Sequence, residues 1–154
     1  MIRLLFIGDI VGRTGRLAVE KTLPELQEAH NLDVVIANCE NLAHGFGITR
    51  DTIAEMTAAG VRCFTSGNHI FDKKEAAGLL EDLPHILRPM NYPPEVPGNG
   101  AWTIQLPDSR SLTVINLMGR AFMPSLDCPL RTLDKYLHTL VYGEFVLAPQ
   151  VQLA

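Results

Sequence analysis

The sequence predicts an α/β fold with a mostly parallel sheet, for three reasons. Apolar runs typical of buried strands alternate with helical runs through the first half of the chain, in the order strand, helix, strand, helix, strand. Each strand run is almost continuously apolar, as expected of a strand that is covered on both faces. Polar side chains follow each run directly, and open α/β sheets bind their ligands at the carboxyl ends of their strands.

The elements of the first half follow from apolar spacing and from the residues that begin and end helices. Thr49 is a typical helix start and Gly60 a typical helix end, whereas Pro24 interrupts a run that otherwise has mostly helical spacing. The predicted strands are 3–7, 33–37 and 61–65, and the predicted helices are 16–30, 49–59 and 73–80.

The second half of the chain has a different pattern. Residues 88–100 are rich in Pro, Gly and Asn, which predicts a long loop, and long loops in compact domains often have functional roles. The runs 101–106 and 111–117 predict a hairpin, and residues 130–140 predict a helix. Residues 141–154 are apolar with little pattern, and no element is predicted for them.

Composition narrows the classes of protein to which the chain can belong. The 154 residues fit one domain, and 47% hydrophobic with 19% charged residues exclude global disorder. A net charge of -4 argues against a broad nucleic-acid surface, and the apolar runs are too short to span a bilayer. The amino terminus lacks a signal-peptide cleavage site, so we expect a cytoplasmic protein without a membrane partner. The three cysteines lack a C-x-x-C pair, which argues against a disulfide framework or a thiolate zinc site.

The first polar cluster contains Asp9 between Gly8 and Gly12. A carboxylate just past a strand, in a tight glycine turn, can reach a metal ion. An equally weighted alternative is that Asp9 caps the helix that follows. The glycines match neither a dinucleotide-binding loop nor a Walker A loop.

The second cluster places Glu40 and Asn41 side by side after the second strand. Carboxylate and amide oxygens are hard ligands that suit Mn, Fe(II) or Mg. The alternative is a turn in which asparagine side chains bond to the local backbone, which would account for Asn38 and Asn41 but poorly for Glu40.

The third cluster is Asn68 and His69, after the third strand. Asn68 offers a neutral oxygen ligand, and His69 is a candidate general acid, although a lone histidine is more often structural. Asp72 can orient His69 or cap the next helix, and of the two roles we expect the cap. His44, in a glycine-containing loop beside the second cluster, is a candidate substrate contact.

Together these clusters resemble the calcineurin-like metallophosphoesterase superfamily, and within it the bacterial YmdB-like branch. The matching motifs are Gly-Asp-Ile-Val-Gly at 8–12, Asn-Cys-Glu-Asn at 38–41, Gly-Phe-Gly-Ile-Thr at 45–49 and Thr-Ser-Gly-Asn-His-Ile-Phe-Asp at 65–72. Later motifs at 88–93, 97–100, 116–120 and 122–124 also fit, so the resemblance covers about residues 1–135.

The resemblance implies a bimetal phosphodiesterase on an αββα sandwich. Asp9 and Asn41 would hold one metal, Glu40 would bridge two, and Asn68 would hold the second. Mn and Fe are the expected metals, with Mg as an alternative. A hydroxide held by both cations would attack phosphorus in line, and His69 would protonate the leaving oxygen. The implied substrate is a small phosphodiester, including 2′,3′-cyclic nucleotides.

The chain also departs from the family pattern. Family members continue further and carry a strand ending in Asp-Phe-His and a Gly-Thr-His-Thr-His loop, which supply the remaining metal ligands. From about Leu137 the resemblance stops, so we expect residues 1–154 to be one incomplete domain with impaired catalysis. Two alternatives stay open: a non-catalytic nucleotide- or phosphate-binding module that uses residues 12–15, and an inactive fragment that associates through an apolar edge, as in a homo-oligomer.

Overall fold

The computed structural model describes residues 1–140, which form five strands, four α-helices and a short 3-10 helix. The strands are β1 (Leu4–Ile7), β2 (Val34–Asn38), β3 (Cys63–Thr65), β4 (Ala101–Gln105) and β5 (Ser111–Ile115). The helices are α1 (Gly12–His30), α2 (Arg50–Ala58), α3 (Ala76–Asp82) and α4 (Pro129–Thr139), and the 3-10 helix is Asn68–Phe71.

The first three strands form a parallel sheet in the order β1-β2-β3. Ile7 pairs with Ala37 and Asn38 pairs with Thr65, so all three strands end at the same edge. Strands β4 and β5 form a separate antiparallel hairpin, as predicted. The predicted α/β fold with mostly parallel strands is therefore confirmed for the described part of the chain.

The parallel sheet lies between a helical layer and the hairpin. Side chains alternate along a strand, so Val35 of β2 packs in the cluster that contains helix residues such as Leu23, while Val34 packs in the cluster that contains Ile104 and Leu112 of the hairpin. All five residues of β2 are buried. Burial on both faces is the reason that this strand is apolar without alternation.

Two helices begin at other residues than the sequence predicts. Helix α1 begins at Gly12 instead of residue 16, since the Gly15 N–H already donates an i→i−4 hydrogen bond to the Val11 carbonyl at 3.1 Å. The helix also continues through the exposed Pro24 instead of breaking. The predicted helix 73–80 is wrong at its start, since residues 68–71 form the 3-10 helix and α3 begins only at Ala76.

The apolar tail, residues 141–154, lies outside the described residues. Within residues 1–140, none of the helices combines the length and the apolar character needed to cross a membrane.

Candidate active site

The carboxyl edge of the parallel sheet brings the three polar clusters together. Asp9 follows β1, Glu40 and Asn41 follow β2, and Asn68 and His69 follow β3. The parallel register places the ends of β1, β2 and β3 side by side. Residues that are about 30 positions apart in the sequence therefore become neighbours at one edge.

Asp9 contacts Asn41 directly. The Asn41 side-chain amide donates a hydrogen bond to Asp9 Oδ1 at 2.6 Å, although the two residues are 32 positions apart. Asp9 does not cap α1, because the N-cap residue is Val11 and its side chain makes no capping hydrogen bond. The backbone N–H of Gly12 donates to the Asn41 carbonyl oxygen at 2.9 Å, which holds the two loops together.

Glu40 is the buried centre of this edge, with 0% of its surface exposed. Its Oε1 accepts from the Asn38 amide at 3.3 Å, and its Oε2 accepts from the backbone N–H of His69 at 3.0 Å. The carboxylate thus spans from the end of β2 to the residues that follow β3. A Cβ atom at Gly67 would lie 2.6 Å and 2.7 Å from the two carboxylate oxygens, so only glycine fits there without a shift.

His69 pairs with Asp72 by a contact of 2.7 Å between Nδ1 and Oδ2. The prediction that Asp72 caps the next helix is wrong, since α3 starts after Glu75. Asp72 instead fixes the orientation of the His69 ring through one of its two nitrogens. Asn68, the neighbour of His69, has an exposed side chain at the start of the 3-10 helix.

His44 lies at the exposed tip of the loop that follows the second cluster. It has a positive φ of 60°, which is uncommon for a residue other than glycine. The loop is near the start of α1, because a Cβ atom at Gly12 would lie 3.7 Å from the Gly45 backbone nitrogen. A substrate contact by His44 stays a prediction.

Tyr92 belongs to the same neighbourhood, although it was not among the predicted site residues. Burial raises the pKa of its phenol, and the charges of Glu40 and Asp72 raise it further. Its ring packs edge-on against Phe71, with centroids 6.1 Å apart. A phenol with a raised pKa keeps its proton at neutral pH and can donate a hydrogen bond. The only signal in the sequence was the position of Tyr92 in the long loop 88–100.

The buried side-chain amide of Asn116 holds the backbone that precedes the third cluster. Asn116, which follows β5, donates through Nδ2 to the carbonyl oxygens of Ser66 at 2.7 Å and Leu87 at 2.9 Å. Ser66 directly precedes Gly67, so this pair of hydrogen bonds holds the backbone that leads into Asn68 and His69.

We therefore expect Asn116→Ala to lower the free energy of unfolding by about 1–3 kcal/mol, because the buried Ser66 carbonyl loses the amide that donates to it. Urea denaturation measures this change, and Asn99→Ala, at an exposed position, is the control. Equal stability of the two variants would contradict the role of Asn116.

The candidate metal ligands at this edge of the sheet are carboxylate and amide oxygens. Within residues 1–140, no three His, Cys, Asp or Glu side chains lie close enough to hold a metal ion, so a cation here would also need asparagine amides. Among the described residues, Asn41 Oδ1 is a buried acceptor with no hydrogen-bond partner. Burial raises the pKa of the Cys63 thiol to about 12 and that of Cys39 well above its usual value, so both thiols stay protonated.

Comparison with known proteins places the chain in a family. Residues 5–148 match the model of the YmdB-like protein family, so the expectation that the resemblance stops at about Leu137 is wrong. The chain is 40% identical over 134 residues to the 2′,3′-cyclic-nucleotide 2′-phosphodiesterase of Bacillus subtilis. That alignment covers 87% of this chain and 50% of the relative.

Two solved structures share the fold of this chain. A hypothetical protein from Thermus thermophilus superposes with a TM-score of 0.85 at 41% identity, covering 91% of this chain and 54% of that one. A novel phosphatase from Mycoplasma pneumoniae superposes with a TM-score of 0.82 at 27% identity, covering 90% and 51%. The chain spans about half the length of the relatives that it matches. The family match and the shared fold together establish that this chain is a member of the YmdB-like protein family.

Proposed function

We propose that the chain carries the amino-terminal part of the active site of a metal-dependent phosphoesterase, with phosphodiesters, including 2′,3′-cyclic nucleotides, as its substrates. The observation that carries the proposal is the position of the Glu40 carboxylate. It is fully buried and accepts hydrogen bonds from the Asn38 amide and the His69 backbone N–H, and Asn41, the next residue, pairs with Asp9. The names of the Bacillus subtilis relative and the Mycoplasma pneumoniae phosphatase support this class of activity.

The residues present fit a pair of divalent cations. Two carboxylates and two amides supply hard oxygen donors, and the buried Asn41 Oδ1 is an acceptor that a cation would satisfy. In the proposal, Asp9 and Asn41 would hold one ion, Asn68 would hold the other, and Glu40 would serve both. Mn or Fe is proposed, with Mg as the alternative. Bound cations of this kind lower the pKa of water and neutralise charge on a phosphoryl group.

His69 is the proposed proton donor to the leaving oxygen. Asp72 engages Nδ1 at 2.7 Å, so Nε2 is the ring atom that remains to pass a proton. The Tyr92 phenol, whose pKa is raised by burial and further by the charges of Glu40 and Asp72, is proposed as a second hydrogen-bond donor at this edge. Both groups act on the ester oxygens of the substrate in this account.

The alternative of a phosphate-binding module at residues 12–15 has weaker support. An anion at a helix amino terminus needs N–H groups that are free to donate. The Gly12 N–H already donates to the Asn41 carbonyl at 2.9 Å, and the Gly15 N–H donates to the Val11 carbonyl at 3.1 Å. The remaining alternative is an inactive fragment that self-associates. Concentration-dependent association without ligand binding would favour this alternative.

Hydrolysis of bis(p-nitrophenyl) phosphate in the presence of Mn(II) tests the proposal. We expect Asp9→Asn to lower the Mn(II)-dependent rate of the chain by about 10–100-fold, because the amide removes a charged ligand while keeping the shape. Asp134→Asn, at an exposed position on α4, is the matched control and should keep the rate of the unmodified chain.

An equal rate in the unmodified chain and in Asp9→Asn would contradict the assignment of Asp9. Phosphate binding that needs no Mn(II) and survives Asp9→Asn would favour the phosphate-binding module instead.

A further inference from the structure

Phe46 is an exposed aromatic residue beside the candidate proton donor. Its side chain is 56% exposed, although Ala43 and Ile48 on either side are buried. Its ring meets the His69 ring edge-on, with centroids 5.2 Å apart and planes at 63°. Single exposed apolar residues are common on protein surfaces, so the contact with His69, and not the exposure alone, is the informative feature.

The backbone around Phe46 is held in place by a closed loop. Ala43 N–H donates to the Gly47 carbonyl at 2.9 Å, and Gly47 N–H donates to the Glu40 carbonyl at 2.5 Å. Gly47 has a positive φ of 73°, and a Cβ atom there would lie 2.8 Å from Lys73 Cγ. The loop therefore packs tightly on the segment that follows His69. A ring on such a backbone loses little conformational freedom when a ligand covers it.

We propose that Phe46 is the platform on which the base of a nucleotide substrate stacks while its phosphate lies at His69. This inference rests on the proposed function. It adds a contact for the base, which is the part of a nucleotide that the proposed metal ligands do not bind. Aromatic rings stack on every nucleobase, because each base has a π face. The exposed Phe46 ring offers such a surface, with its centroid 5.2 Å from that of the imidazole.

The arrangement predicts selectivity by ligand class. Nucleotides use both the phosphate site and the ring, whereas inorganic phosphate uses only the phosphate site. Loss of the ring should therefore weaken nucleotide binding and leave phosphate binding unchanged. Loss of one base-stacking contact corresponds to an affinity decrease of about tenfold.

The test is calorimetric titration, in the presence of Mn(II), with adenosine 3′-monophosphate and separately with inorganic phosphate. Phe46→Leu keeps apolar bulk against His69 but removes the π face, and Phe46→Trp keeps an aromatic surface. Phe122→Ala is the control, since Phe122 is an aromatic residue with 98% exposure on the loop between β5 and α4.

We expect Phe46→Leu to bind the nucleotide about tenfold more weakly with unchanged phosphate affinity, while Phe46→Trp and Phe122→Ala bind both ligands like the unmodified chain. Unchanged nucleotide affinity in Phe46→Leu, or an equal loss for both ligands, would overturn the stacking role and leave the proposed function standing. If the unmodified chain binds neither ligand, the proposed function fails first, and the stacking role fails with it.

Discussion

Glu40→Gln is expected to abolish the stabilisation of the protein by Mn(II) while leaving the fold intact. Glu40 is fully buried, and its carboxylate reaches both Asn38 at the end of β2 and the segment after β3, so in the proposal it would serve both cations. A ligand that binds only the folded state raises its stability by an amount that grows with affinity. Glutamine keeps an oxygen that accepts from the His69 N–H, and it removes a charge whose burial is costly.

Thermal unfolding with and without Mn(II) measures this effect. The melting temperature of the unmodified chain should rise by several degrees at saturating Mn(II), whereas that of Glu40→Gln should not change. Glu20→Gln, at an exposed position on α1, is the control and should respond like the unmodified chain. A Glu40→Gln protein that Mn(II) still stabilises to the same extent would refute the bridging role.

Gly67→Ala should have the second large effect, because it places a methyl group against the Glu40 carboxylate. The new carbon would lie 2.6 Å from Oε1 and 2.7 Å from Oε2, which is far inside van der Waals contact. Overpacking of this kind costs about 1–3 kcal/mol, and here it also displaces the carboxylate. We therefore expect a loss of stability together with a loss of Mn(II) binding.

Urea denaturation and Mn(II) titration of Gly67→Ala give the two readouts. Gly78→Ala is the matched control: a Cβ at this exposed position in α3 meets nothing within 4 Å, so the variant should gain about 0.5–1 kcal/mol. Wild-type stability and Mn(II) affinity in Gly67→Ala would mean that the carboxylate does not sit against this glycine.

The sheet and the clustering at its edge were predictable because they depend on local sequence patterns. Continuous apolar runs predict buried strands, and parallel strands necessarily end at one edge, so Asp9, Glu40 and His69 could be placed together from the sequence. The boundaries of α1 and α3 were less predictable. Gly12 and Ala76 begin these helices without the Ser, Thr or Asp start signals on which such predictions depend.

The supporting contacts were not predictable, because they join distant parts of the chain. Asn116 reaches Ser66 across 50 positions, and the effect of Glu40 on Tyr92 crosses a similar distance, so neither follows from spacing. Asp72 shows a different difficulty. A spacing of three residues suits both a helix cap and a partner for His69, and only the position of α3 decides between them.

The most direct test of the central claim is a Mn(II) titration of the unmodified chain and of Asp9→Asn, followed by the electron paramagnetic resonance signal of free Mn(II). We expect the unmodified chain to remove Mn(II) from solution and Asp9→Asn to bind Mn(II) at least about tenfold more weakly. A folded, unmodified chain that leaves all Mn(II) free, or an Asp9→Asn variant with unchanged affinity, would contradict the claim that this edge of the sheet is a metal-dependent phosphoesterase site.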